Sequence, residues 1–492
     1  MVELKAFKRR NVVIGVDIGT TSTKAVLFDC NGGFIFQAEE KVTTLYPEQG
    51  YAEQGPEEIE HKTKQVLRQV IEQVVSRNEK LLAIGLATAM HSLICVDEKK
   101  QALSNAIIWS DSRSSKQASE LNNDEGKEFY CKTGTPIHPM SPFLNLIWMK
   151  ETEYYAYQEA SYFMTIKDYL VWKWFDERWI DEAMASSTGL YNLKKHAWDR
   201  DALQLAGITE AQLSKIVSPD TVLTSVQIAK ELGIGVDIPF IIGSADGQLA
   251  NLGDGMILPG EVAISVGTSG AIRQFIDGTE VDPFEETFTY AFTKETSIVG
   301  GPTNNGGIVL QWLKNLLEFE GSDQQLIALS DGVKPGADGL FFLPYINGER
   351  APFWNQDATG SFVGLTIRHK KEHLVKAVLE GICFNLYHIG ESLERVAGVP
   401  KQICANGGLT QSEKWVQILA DVFGKEIHLS ETHHSVAWGA AWTALFGIKE
   451  VASFAAIKEK SGPQKVVQTI RENHQQYRQI YQKYRDLTKL LS

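Results

Sequence analysis

"VDIGTTSTKAVLF", residues 16–28, places one carboxylate, one glycine and four consecutive hydroxyls between two apolar, β-branched runs. A stretch as polar as Thr20-Thr21-Ser22-Thr23 does not belong in a core. With "NVVIG" before it and "KAVLF" after it, the pattern predicts a tight turn joining two buried strands. Asn31-Gly32-Gly33 then supplies the left-handed positions of a second tight turn. From Pro56, the apolar residues Ile59, Val66, Leu67, Val70, Ile71 and Val74 keep helical spacing, with Glu57 and Glu58 suited to the first-turn dipole. "LLAIGLAT" reads as a short buried strand. Strands, a helix, then a strand is the order of an α/β sheet.

At 492 residues the chain is too long for one ordinary core. Its net charge of -13, with 43% hydrophobic and 22% charged residues, describes a globular protein without the positive field that nucleic acid or an anionic membrane requires. Small anions stay admissible, because backbone N–H groups and a metal ion hold them regardless of global charge. The five cysteines (Cys30, Cys95, Cys131, Cys383, Cys404) are scattered, with no CxxC pair. Free thiols in a reducing compartment are expected, and with neither a leader pattern nor an apolar run of about 18 residues the expectation is cytoplasmic.

The middle third, with "YLVWKWFDERW", is less clearly periodic and is expected to elaborate the first domain. Near residue 240 the opening order restarts. "GEVAISVGTSGAIRQFIDG" sets Gly267-Thr268-Ser269 against Gly19-Thr20-Thr21, again between apolar strands. This predicts an internal duplication with domains 1–253 and 254–492. The copies differ in one place: where the first has Asp17, the second has Ser265.

A single glycine-hydroxyl turn is commonly just a turn. Two of them, heading duplicated halves, suggest anion nests in which glycine admits close approach and the hydroxyls add donors. A carboxylate beside phosphate needs a cation between them, so Asp17 implies Mg²⁺, held largely through water. The chain has no GxxxxGK[ST], and "FGKE" at Phe423–Glu426 lacks both the hydroxyl and the upstream glycine.

With these motifs in order, the chain resembles the FGGY carbohydrate kinases of the actin-like ATPase superfamily. The resemblance rests on "DIGTTSTKAV", "GSADGQLANLG", "SVGTSGAI", "GSFVGLTIRHKKEHLVKAVLEG" and "ANGGLTQSEKW". In the first family signature, "PFLNLIWMK", Asn145 replaces the usual lysine. The resemblance implies an α/β fold of two duplicated ribonuclease-H-like domains with a central cleft. It implies ATP and Mg²⁺ as cofactors, and Asp246 as the general base, with Asp17 and Asp246 toward the metal. Thr20, Thr21, Ser22 and Lys24 match the first phosphate loop, and Gly267 and Thr268 the second. Gly307, Gln311, Gly408 and Ser412 fall where the family holds the adenosine end, with close helix–strand packing as the other reading of the glycines.

For the acceptor, Met90-His91 stands where glycerol kinases carry Arg-Glu, as in xylulose kinases, although Gly247 stands where those tend to have asparagine. "KTGTPIHPMSP" and "IIWSDSR" resemble the gluconate-kinase branch. Met90, His91, Trp109, Arg113, His138 and Asp246 are therefore the substrate candidates, with Arg113, His138 and His91 as donors to a carboxylate. Arg350 reads as structural, and His433-His434 as surface or packing. The expected activity is ATP-dependent phosphorylation of an open-chain sugar acid, D-gluconate to 6-phospho-D-gluconate, with a homodimer as the expected assembly. The alternatives are a pentulose such as xylulose as acceptor, or an actin-like ATPase switch with no sugar substrate.

Overall fold

The computed structural model describes residues 9–430, 434–460 and 465–491; His433 lies outside them. The chain divides into two compact units. The first is Met1–Gly255 with Tyr290–Ser297 and His434–Ser461; the second is Met256–Thr289, Ile298–His433 and Gly462–Ser492.

In the first unit, β1 (Asn11–Ile18), β2 (Ser22–Asp29) and β3 (Phe34–Lys41) form an antiparallel meander. Helix α1 (Pro56–Ser76) follows and buries the apolar face anticipated from its spacing. The chain then returns as β4 (Lys80–Thr88). With β5 (Val222–Leu223) and β6 (Phe240–Ala245) the sheet order is β5-β6-β4-β1-β2-β3. Strands β1, β4 and β6 run parallel. Helix α2 (Ile166–Phe175) lies in the aromatic middle third, and α3 (Asp246–Gly253) starts directly from β6.

In the second unit, β7 (Glu261–Val266) pairs antiparallel with β8 (Gly270–Asp277). Strands β9 (Phe288–Ala291) and β10 (Thr296–Thr303) precede helix α4 (Gly307–Leu316) and the long helix α5 (Lys371–Ala397). β11 (Gln402–Gly407), helix α6 (Glu413–Phe423) and β12 (Ile427–Leu429) follow, and β13 (Lys465–Val467) closes the edge. The order is β9-β10-β8-β7-β11-β12-β13. The run β10-β8-β7-β11-β12 repeats β3-β2-β1-β4-β6: a hairpin-led strand lies beside the second strand on one side and a parallel crossover strand on the other. The duplication seen in the two glycine turns is therefore a duplication of topology.

Helix α7 (Ser435–Gly447) belongs to the first unit, although it follows the second sheet in sequence. Its "SVAWGAAWTALFG" is nearly all small or aromatic, so its backbone can lie directly on the strands. A Cβ on Gly15 would stand 1.8 Å from the Ala437 carbonyl oxygen, and one on Gly85 1.9 Å from that of Ala440. Gly439 in turn lets the Leu249 carbonyl of α3 approach, where a Cβ would stand 2.1 Å away. His434, just before this helix, stacks on Phe34 with centroids 5.0 Å apart.

The final helix, α8 (Arg471–Leu491), packs Tyr477, Tyr481 and Tyr484 around Phe384 of α5. All five cysteines are free thiols. No helix among the described residues is long and apolar enough to cross a membrane.

Candidate active site

The parallel strands β1, β4 and β6 end at one edge of the first sheet. Register pairs Ile18 with Thr88 and Thr88 with Ala245. That edge therefore gathers the Gly19–Thr21 turn, the Met90-His91 segment and Asp246. Carboxyl ends of parallel strands are where α/β sheets bind ligands, because the loops diverge there.

Asp17 and Asp246 are both partly buried. The carboxyl of Asp17 is pushed up to about 7, by burial first and then by the negative charge of Asp246, with Lys24 opposing. A carboxyl whose ionisation is opposed by a second, neighbouring carboxylate marks a site that gains from a cation. The Oδ1 of Asp246 accepts from the Gly247 N–H at 2.8 Å. Among the described residues no group of three or more His, Cys, Asp or Glu could enclose a metal. Such a pair therefore suits an ion that keeps most of its water.

Around the first turn, Gln54 donates to the Thr20 carbonyl at 2.6 Å, and the Trp109 indole N–H to Thr20 Oγ1 at 3.4 Å. The Thr21 carbonyl accepts from Val42 N–H at 3.0 Å. Ser22 and Lys24 sit at the start of β2 and engage Glu39 of β3 at 2.6 and 3.4 Å. Thr23 is buried and contacts the Thr63 hydroxyl at 3.3 Å. The structure thus brings Trp109 to the first turn, and divides the hydroxyl run between loop, sheet edge and core.

On the acceptor side, His91 has φ of +66°, a left-handed conformation uncommon for a residue with a Cβ. Its Nδ1 lies 2.8 Å from the Ser187 carbonyl, and its ring meets the edge of Tyr290 at 5.7 Å. The neighbouring Ser186 carbonyl accepts from Thr135 Oγ1 at 3.0 Å, tying the segment before His138 to the same turn. A carbonyl only accepts, so Nδ1 of His91 carries its proton. At His138 the polarity is reversed: Nδ1 accepts from the Met140 N–H at 3.2 Å, so the neutral ring carries its proton on Nε2.

Arg113 has a different place from the one expected of a carboxylate fork. Its guanidinium binds Asp111 at 2.8 Å and Glu53 at 2.6 Å, and lies 3.9 Å over the Tyr51 ring. Its side chain is 1% exposed and its charge is already balanced. Asn145, at the departure in the first signature, donates to the Pro139 and Ser141 carbonyls, both at 3.2 Å.

In the second unit, the Gly267 and Thr268 carbonyls accept from the N–H groups of Gly307 and Ile308 at 2.7 and 3.0 Å. The first donors of α4 are thereby spent on the loop. A Cβ on Gly307 would stand 2.7 Å from the Gly267 carbonyl oxygen, and one on Gly306 2.6 Å from that of Ser269. Close packing alone therefore requires these glycines. Ser412 caps α6 through the Trp415 N–H at 3.3 Å. Gly408 follows Gly407, whose φ of +85° turns the chain at the end of β11. Gln311 is exposed on α4 and bonds Asn315 at 3.1 Å. In "NGER", buried Glu349 accepts from Thr303, Asn304, Asn305, Arg350 and Asn385, and the Arg350 guanidinium donates to the Thr303 carbonyl at 3.4 Å.

Two groups escaped the sequence reading. Tyr290 joins the first unit from a hairpin remote in sequence. Lys167 is a buried lysine within α2, where the sequence shows it only as one of three charges, with Asp168 and Lys173, in a run rich in apolar and aromatic residues.

The duplicated sheets, the paired carboxylates and the glycine turns describe a two-domain sugar kinase of the actin-like ATPase architecture. The N-terminal domain model of the FGGY family of carbohydrate kinases matches residues 12–253, and the C-terminal domain model matches residues 262–448. The chain belongs to the FGGY family of carbohydrate kinases. It is 40% identical to a gluconokinase of Bacillus subtilis (strain 168), over 97% of this chain and 96% of that one. The crystal structure of a gluconate kinase from Lactobacillus acidophilus superposes with a TM-score of 0.95 at 32% identity, covering 98% of both chains. A ligand-bound xylulose kinase from the same organism gives the same TM-score, identity and coverage. Backbone likeness therefore does not choose between these acceptors.

Proposed function

We propose that this protein transfers the γ-phosphoryl group of ATP to the terminal hydroxyl of D-gluconate, giving 6-phospho-D-gluconate. The observation that carries the acceptor is the 40% identity to a gluconokinase along nearly the whole chain. "TGTPIHPM" at residues 133–140 points the same way. Met90-His91 and the equal structural likeness to a xylulose kinase keep a pentulose as the second reading.

Asp246 takes the proton of the attacking hydroxyl, a role that supplies about 10²–10⁴-fold in rate. Asp17 with Asp246 would hold Mg²⁺ through water, and that ion would neutralise charge on the phosphates. The Gly19–Lys24 segment serves the phosphates in the first unit, with Lys24 exchanging Glu39 for phosphate. Gly267, Thr268, Gly307, Gln311, Gly408 and Ser412 serve ATP in the second. Trp109 positions Thr20 from the acceptor side.

The tautomers divide the acceptor's groups. Nε2 of neutral His138 is a donor, which suits a carboxylate, whereas Nε2 of neutral His91 is an acceptor, which suits a sugar hydroxyl. Arg113, already neutralised by two carboxylates, is an anchor for this wall.

A coupled ADP-release assay with Mg²⁺-ATP against D-gluconate, D-xylulose, L-ribulose, glycerol and no acceptor tests the reading. Turnover on gluconate alone supports it. Turnover on xylulose alone replaces the acceptor, and equal hydrolysis in every well replaces the kinase by a nucleotide switch.

A further inference from the structure

Parallel strands β4 and β6 lose register just before the catalytic edge. Phe240 and Ile241 pair with Ile84 and Gly85, and Ser244 and Ala245 with Ala87 and Thr88. One extra residue of β6 is thus accommodated between Ile241 and Ser244. Gly243 sits there at φ +68°, and a Cβ on it would stand 1.7 Å from the Leu86 carbonyl oxygen. On the other edge, the N–H groups of Ile242 and Gly243 are taken by the carbonyls of Thr221 and Pro219 at 3.1 and 3.0 Å. A bulge of this kind disrupts the ladder and re-aims the strand.

The carbonyls at the bulge converge on one side chain. The Lys167 ammonium donates to Ile242 at 2.6 Å, Ser244 at 3.2 Å and Leu86 at 3.3 Å. An ammonium has three N–H donors and a neutral amine only two, so three carbonyl acceptors match the charged form. Asp181 lies 3.5 Å from the same nitrogen, and both side chains are at most 1% exposed. Burial pushes the lysine down, while Asp181, Asp168 and Asp246 attract its charge.

We propose that Lys167 is a positioning residue for Asp246: its buried ammonium clamps the bulged end of β6 to β4 and so sets where α3, and the carboxylate on its first residue, begins. This rests on the reading of Asp246 as the general base. Ser244, clamped at its carbonyl, is two residues from Asp246. A small misplacement of a reacting group is costly in rate without weakening binding.

Lys167→Met keeps length and removes the charge and donors, but leaves Asp181 buried without its counter-charge. The double variant Lys167→Met/Asp181→Asn removes both charges together and keeps the fold assessable by thermal melting. In the double variant, kcat should fall about tenfold or more, with KM for ATP and for the sugar within about twofold of the parent. Asp181→Asn alone should keep kcat within about twofold, since the three carbonyls still hold the lysine.

The same pair of changes made in an Asp246→Asn background should alter the residual kcat by less than about twofold, because a residue acting through Asp246 has nothing left to position. Parent-like kcat in the folded double variant, or an undiminished tenfold loss in the Asp246→Asn background, would overturn the proposal and leave the base assignment standing. Parent-like turnover of Asp246→Asn itself would overturn the base assignment, and this proposal with it.

Discussion

The phenol of Tyr477 donates a 2.8 Å hydrogen bond to Oε1 of Glu380, joining the final helix of the chain to the long helix of the second unit. Glu380 is the last residue but one of "GSFVGLTIRHKKEHLVKAVLEG", one of the stretches that carry the family resemblance. It is buried, and its carboxylate also accepts from the Gly336 N–H at 2.9 Å and faces Lys376 at 3.5 Å. Glu380 is an anchor for the final helix. Tyr477→Phe removes one donor from a buried charge and should destabilise by about 1.5–3 kcal/mol in urea unfolding. The kcat of the folded enzyme should not change. A loss of turnover without a loss of stability would give Glu380 a role in the chemistry instead.

Asp246→Ala should leave ATP binding nearly intact, as read by calorimetry, and lower kcat by at least about 10²-fold. Retained turnover would remove Asp246 from proton transfer.

Asp17→Ala removes the carboxyl whose ionisation the neighbouring Asp246 opposes, and leaves the general base in place. It should raise the Mg²⁺ concentration needed for half-maximal activity and weaken Mg²⁺-ATP use together. An unchanged Mg²⁺ titration would take Asp17 out of the site.

The seat of α7 on the first sheet has no spare room at Gly85, where a Cβ would stand 1.9 Å from a backbone carbonyl. Gly85→Ala must lift a helix off a sheet and should cost about 3 kcal/mol or more. Gly332 has nothing within 4 Å of its Cβ position. Gly332→Ala should stay within about 0.5 kcal/mol of the parent. Equal stability of the two variants, measured by chemical unfolding, would contradict this packing.

His388 is buried in α5 with its ring 5.4 Å from that of Phe353. Burial, reinforced by Arg485, Arg395 and Lys489, holds its imidazole down at about 3. Its folded value lies below the ordinary histidine value of 6.5, so the native state prefers the neutral ring. The associated stability is complete above pH 6.5 and is lost as pH falls toward 3, with a limiting slope of about 1.4 kcal/mol per pH unit. His388→Gln should flatten the acid limb of a stability–pH curve by that slope. An unchanged limb would assign acid sensitivity to other groups.

Much of the framework was legible because local patterning and global topology agree. The strand–turn–strand pattern around Asp17 and its echo around Gly267 belong to two sheets with the same spatial order. The helix from Pro56 follows its apolar spacing residue by residue. Arg113 and Ser412 show where such reading stops. A guanidinium in a motif looks equally able to bind a ligand or a neighbour, and the approach of Glu53, 60 residues away, is invisible in the motif. Ser412 has the composition of a ligand-binding hydroxyl and the position of a helix cap.

Residue order by itself determined the two-domain α/β class, the duplicated glycine turns and the place of Asp17 beside the first of them, because strand periodicity and turn chemistry are short-range properties; Asp246 was singled out by the family resemblance. Tertiary structure alone decided that Ser435–Gly447 lies on the first sheet, that Nδ1 of His91 meets the Ser187 carbonyl, and that Lys167 gathers three carbonyls at the bulge two residues before Asp246. Each of these depends on groups far apart in the chain, whose approach is set by packing and by the need to pair buried polar atoms.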